Sequence, residues 1–182
     1  AAKELAEEGV SLITTSCGFL ALFQAELADA VDVPVLTSAL LQVPVAARLI
    51  GPQKVVGVLT ERPNLTDRHF AAVGCTPGET PYLVQAMPDD AVFPRVFIDG
   101  ATEADLDVLE RELVDTAVRF ARSHPEVGAL VLECTNFVPF SQAIRRATGL
   151  PVYDLYTLVM QSYDATWGHD FAAPRAALAG QL

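Results

Sequence analysis

The order of apolar and polar positions predicts strand and helix units that follow one another along the whole chain. Val10 to Thr15 is short and β-branched, the character of a strand buried on both faces of a parallel sheet. A helix-like stretch, Ala1 to Glu8, precedes it. Phe19 to Val31 follows, with Leu20, Phe23, Leu27, Ala28 and Val31 on a helical period opposite Gln24, Glu26 and Asp29. Pro34 opens a second short strand, Thr37-Ser38 offers an N-cap for a helix to about Ile50, and Gly51-Pro52 stops it. Val55 to Leu59 predicts the next strand, Leu65 to Val73 a helix, and Tyr82 to Met87 a strand. Pro88 to Gly100 holds enough breakers to predict a loop or flap. Thr102 is expected to start the longest helix, with Leu106, Leu109, Leu113, Ala117 and Phe120 as its apolar stripe. Leu130 to Leu132 as a strand, Phe140 to Thr148 as a helix, a strand from Pro151 and a helix from Thr157 to Trp167 complete the pattern. The Ala-rich segment beyond Gly168 carries no recognisable chemistry.

One unit recurs. Ser11 to Phe19 (SLITTSCGF) and Gly128 to Phe137 (GALVLECTNF) are apolar runs that each deliver a cysteine and small polar residues to a strand end. Cys17 lies 17 positions before Pro34, and Cys134 lies 17 positions before Pro151, so the two units are in register. Such a match predicts an internal duplication and two similar α/β lobes. The expected divisions are a first lobe over residues 1–52, a second over 53–156, and a C-terminal helix, 157–182, packed back on the first. In this register Ala1 corresponds to Val118, which leaves the segment from Val55 to Ala117 without a first-lobe counterpart. A first lobe shortened at its N-terminus by about that much is therefore expected.

Composition narrows the function. Hydrophobic residues make up 51% of the 182 positions, enough for a sizeable core. The formal charge of −11 opposes approach to nucleic acid or an anionic membrane surface. No apolar run reaches the length of a membrane span and no basic stretch leads into an apolar one, so the chain reads as cytoplasmic. Cys17, Cys75 and Cys134 are an odd set without CxxC spacing, which predicts free thiols rather than disulfides or a zinc site. His69, His124 and His169 share no ligand spacing, and no metal is expected. The nucleotide-binding patterns GxGxxG and GxxxxGK[ST] are both absent.

In open parallel sheets ligands bind at the carboxyl ends of strands, where Cys17 and Cys134 are expected. A lone cysteine more often behaves as a small buried hydrophobe. Two in register, each followed by small or polar residues, favour chemistry instead. A pair of thiols in which one holds the proton and the other does not is suited to taking a proton from one face of a carbon and returning one to the other. Cys75 has no strand before it and is expected to be a bystander.

TTSCGF, LECTNF, their spacing and the VVGVLT strand between them resemble the aspartate/glutamate racemase superfamily, which also contains hydantoin racemases, maleate isomerases and arylmalonate decarboxylases. The resemblance covers most of the chain. It implies two pseudo-symmetric, Rossmann-like α/β lobes with mainly parallel sheets, and an active site in the cleft between them. It further implies catalysis without PLP or another cofactor by Cys17 and Cys134, with Thr135 and Asn136 binding a substrate carboxylate and Ser16, Gly18 and Thr60 lining the opposite wall. Two residues depart from the familiar pattern: Gly18 stands where Asn follows the first cysteine, and Glu133 where Gly precedes the second. Phe19 and Phe137 are expected either to narrow the pocket mouth or to serve as core aromatics. Asp154, the counterpart of Thr37, is expected to orient a loop or cap the final helix, and Glu133 to face a basic residue away from the site.

The leading expectation is a racemase or epimerase of an amino acid or related small carboxylate that uses both cysteines. Cis-trans isomerisation or decarboxylation with one working cysteine is the alternative on the same fold. A small-ligand binding module whose cysteines only pack is the alternative of a different class. Superfamily members often form dimers, so a homodimer stays open.

Overall fold

The computed structural model describes residues 1–168; His169 and the expected arm after it lie outside the described residues. The fold is α/β with parallel strands throughout. α1 (Ala2–Glu7) leads to β1 (Ile13–Thr14), a 3-10 turn (Gly18–Phe23) and α2 (Gln24–Asp29). β2 (Val35–Leu36) pairs with β1, and a second 3-10 turn (Ala39–Gln42) runs into α3 (Val43–Leu49). β3 (Val55–Thr60), α4 (Asp67–Ala72), β4 (Tyr82–Ala86), α5 (Val92–Phe97), α6 (Leu106–Ser123) and β5 (Val127–Leu132) follow. A third 3-10 turn (Thr135–Phe140), α7 (Ser141–Thr148), β6 (Val152–Tyr153) and α8 (Leu155–Trp167) complete the described chain.

β4, β3, β5 and β6 form one sheet in that order, β1 and β2 a separate small one. Period-two alternation sends β3 and β5 side chains to opposite faces. Val56, Val58, Ala129 and Val131 pack with Leu40, Val43, Ala46 and Phe70, while Leu59, Leu130 and Leu132 pack with Phe93, Leu109, Leu113, Phe120 and Ile144. Helices thus cover both faces, which is why these strands read as continuous apolar runs. Val127 joins the second face because the register shifts between Val55 and Val56: an extra residue, Gly128, bulges the strand. Gly57 is required by packing. A Cβ there would sit 2.6 Å from a ring carbon of Phe120, which lies across the strand.

Several expected elements change. Pro88–Gly100 is not a loop throughout: it contains α5, whose Phe93 is fully buried. Two prolines hid the helix, although Pro94 lies in its first turn, where a missing N–H costs nothing. The long helix begins at Leu106, capped by Asp105 rather than Thr102, and Leu106 itself is exposed. Val10 to Thr15 contributes only two paired residues, Ile13 and Thr14. α8 lies against the 39–42 turn, where Thr157 Oγ1 donates to Gln42 Oε1 at 2.9 Å. Among the described residues no helix is long and apolar enough to cross a membrane.

Candidate functional site

The register of the large sheet builds the first half of the site. β3 and β5 are parallel with Leu59 opposite Leu132, and Glu133 donates its main-chain N–H to the Leu59 carbonyl at 2.9 Å. The residues leaving β3, Thr60 and Glu61, therefore stand beside those leaving β5, Glu133 and Cys134. Thr60 Oγ1 donates to Glu133 Oε2 at 2.8 Å, and the Cys134 thiol donates to Glu61 Oε2 at 2.9 Å. Cys134 is the N-cap residue of the 135–140 turn, and the Asn136 main-chain N–H faces its sulfur.

The small sheet supplies the second half. Cys17 is the N-cap residue of the 18–23 turn and is exposed. The residues around the two cysteines touch crosswise. Thr135 Oγ1 donates to the Ser16 carbonyl at 2.8 Å. Gly18 lies against Glu133 so closely that a Cβ would overlap its carboxylate and lie 2.6 Å from its carbonyl oxygen. The residue before one cysteine thus meets the residue after the other, in both directions, as a local two-fold requires. The echo continues outward. Gln24, seven positions after Cys17, accepts from the Thr37 hydroxyl at 2.7 Å, and Ser141, seven after Cys134, donates to Asp154.

Burial dominates the electrostatics. Glu133 is buried, and desolvation pushes its carboxyl up to about 7, with the Glu61 charge acting in the same direction and the Thr60 hydrogen bond against it. Glu61 is 8% exposed and is also raised, chiefly by desolvation, while its bond from Cys134 and the Arg62 charge oppose the rise. Its Oε1 atom is buried with no partner among the described residues. Burial and then the Glu61 bond push the Cys134 thiol well above the ordinary range.

The structure thus brings Ser16, Cys17, Gly18, Thr60, Cys134 and Thr135 to one crossing, with Asn136 beside it. A cavity of about 410 Å³ opens at Thr135 and Asn136, walled by Phe97, Leu106, Pro139 and Phe140. Phe137 faces the core, not a pocket mouth: it is fully buried, edge-on to Phe93 at 5.0 Å. Phe19 is half-buried and edge-on to His69 at 5.5 Å. Glu133 faces Gly18 and Thr60, not a basic residue, because its neighbours at the strand end are fixed by sheet register. His69 caps α4 through Thr66, and Asp154 caps α8. Cys75 is buried in the core, where desolvation pushes its thiol up to about 11. Glu61 escaped the sequence reading: its only signal was its place directly after the apolar strand 55–60.

The fold is that of arylmalonate decarboxylase and the glutamate racemases. An arylmalonate decarboxylase structure aligns over 93% of this chain and 74% of its own, with TM-score 0.58 and 16% identity. Glutamate racemase isoform RacE1 from Bacillus anthracis aligns over 91% and 62%, with TM-score 0.58 and 13% identity. Among curated proteins, a dimethylsulfoniopropionate lyase of Durusdinium sp. clade D is 32% identical over 152 residues, 81% of this chain and 50% of the relative. Dimethylsulfoniopropionate lyase 6 of Emiliania huxleyi (strain CCMP1516) is 30% identical over 159 residues, 84% of this chain and 42% of the relative. The chain spans about half the length of these relatives. No protein-family model matches it.

Proposed function

We propose that this chain carries the two-cysteine site of a lyase that eliminates dimethyl sulfide from dimethylsulfoniopropionate or a similar small sulfonium carboxylate, without a cofactor. The observation that carries the reading is the pair of buried carboxyl groups, Glu61 and Glu133, at the crossing of the cysteine loops. An added anionic side chain on a substrate would meet like charge there. A sulfonium cation would instead favour the ionised carboxylates that burial disfavours. The matches to two named lyases support the same choice.

The chemistry needs one base. A thiolate takes the proton from the carbon next to the substrate carboxylate, and that C–H electron pair becomes the C=C bond. The C–S bond breaks at the neighbouring carbon, its electron pair leaves with sulfur, and neutral dimethyl sulfide departs, leaving acrylate. Because the leaving group is already neutral it requires no proton. The remaining cysteine, as a thiol, can donate a hydrogen bond to the substrate carboxylate as charge builds on it.

Racemisation by both cysteines is the second reading, favoured by their equivalent places in the two units. Headspace gas chromatography over protein and dimethylsulfoniopropionate separates the two. Dimethyl sulfide release, with acrylate seen by NMR, is expected. If no dimethyl sulfide forms while α-deuterium enters an amino or hydroxy acid in D2O, the lyase reading is overturned in favour of the racemase.

A further inference from the structure

We propose that Glu61 is a positioning residue that holds the proton on Cys134 in the free protein, so that Cys134 stays a thiol whose S–H turns from Glu61 to the bound substrate, and Cys17 is left as the base. The contact is direct: the thiol donates to Glu61 Oε2 at 2.9 Å, and the carboxylate receiving it is buried. Within that hydrogen bond the proton belongs on sulfur, since an ordinary thiol titrates about four units above an ordinary glutamate. Moving it to Glu61 would leave a half-buried thiolate beside the Glu133 carboxyl.

The groups around the pair reinforce this. Glu133, from the end of β5, places another carboxyl beside both Cys134 and Glu61. Arg62, from the loop after β3, favours ionised Glu61 and so a thiol that donates to it, and it is also bound to Asp99 at 3.2 Å. Among the described residues, the Asn136 N–H, from the 135–140 turn, is the group that favours a thiolate at Cys134. Cys17 is exposed and stands on the other side of the crossing. Two cysteines equivalent in sequence are therefore unequal in surroundings. Glu61 Oε1, without a partner among the described residues, gives the same group a second, unused acceptor, the mark of a carboxylate kept for its charge at the site rather than for a closed structural network. The hold of Glu61 on Cys134 stands on this geometry alone, whereas the assignment of Cys17 as base rests on the elimination reading.

The test is the pH dependence of iodoacetamide alkylation at each cysteine of the folded protein, mapped by peptide mass spectrometry. In Glu61→Gln the alkylation midpoint of Cys134 is expected to fall by about one pH unit or more, roughly a tenfold faster reaction below the midpoint. The Cys17 profile should stay where it is. A variant that merely opened the site would speed Cys134 at every pH without moving its midpoint, and that result overturns the proposal. Should Glu61→Gln not fold, Glu61→Asp retains the charge on a shorter arm and is expected to lower the midpoint part-way; an unchanged midpoint in Glu61→Asp then overturns the proposal. Dimethyl sulfide release by the wild-type protein separates the two claims. A shifted midpoint with no release sinks the elimination reading alone, and release with an unshifted midpoint sinks the role of Glu61 alone.

Discussion

Gly18 and Glu133 occupy one space: the absent side chain of the first leaves the room that the carboxylate and carbonyl of the second fill. The two departures from the racemase-like pattern are therefore a single coupled feature, one on each strand end. Gly18→Ala forces its methyl group against a carbonyl oxygen that cannot rotate away. We expect a loss of about 1–3 kcal/mol in urea unfolding, typical of overpacking. Pairing it with Glu133→Gly should recover only part of the loss, since the carbonyl oxygen at 2.6 Å remains.

Glu133 also makes stability depend on pH. Its folded value of about 7 lies above the ordinary 4.5, so the native state binds the proton more tightly than the unfolded chain does. This contribution is complete below about 4.5 and is lost as pH rises through about 7. The full span is at most about 3.5 kcal/mol. Thermal unfolding of the wild type between pH 5 and 8 should show this loss against Glu133→Gln, in which the loss is smaller. Equal pH slopes in the two proteins would refute it.

The cysteines should respond unequally to removal. Under elimination by a single base, Cys17→Ala is expected to abolish dimethyl sulfide release. Cys134→Ala loses a hydrogen-bond donor and is expected to retain a residual rate, down by about 10²–10³-fold. Steady-state rates for both variants decide it, and equal total loss would favour chemistry that needs both sulfurs.

Phe137 is a core residue and should behave as one. It packs edge-on to Phe93, itself 5.9 Å from Phe140 and edge-on to it. Phe137→Ala should cost about 3–5 kcal/mol in denaturant unfolding. Phe137→Leu, which keeps most of the volume, should cost far less and leave the cysteine titrations unmoved.

The parts of the molecule written in local pattern were legible in the chain itself. Local pattern located β3, β4 and α7 to within a residue or two: β3 reads as a continuous apolar run because both its faces are buried, while β4 and α7 are marked by the prolines and glycine that flank them. The 17-position register of Cys17 and Cys134 with their prolines announced the repeat, because equal spacing is a property of sequence. Helix α5 was hidden, since Pro88 before it and Pro94 within it read as breakers until the fold placed Pro94 in a first turn.

What only the tertiary structure decided is which side chains meet. Glu61 and Cys134 are 73 positions apart, as are Thr60 and Glu133, and only the pairing of β3 with β5 makes them neighbours. Ser16 and Thr135, 119 apart, meet because the small sheet docks at that same strand end. Spacing along the chain fixes what each strand delivers to its end, but the burial that pushes Glu133 and Cys134 upward belongs to the assembled layers. The sequence by itself therefore determined that two cysteines stand at equivalent points of two similar units, and the packing of two unlike surroundings decided that they are not equivalent.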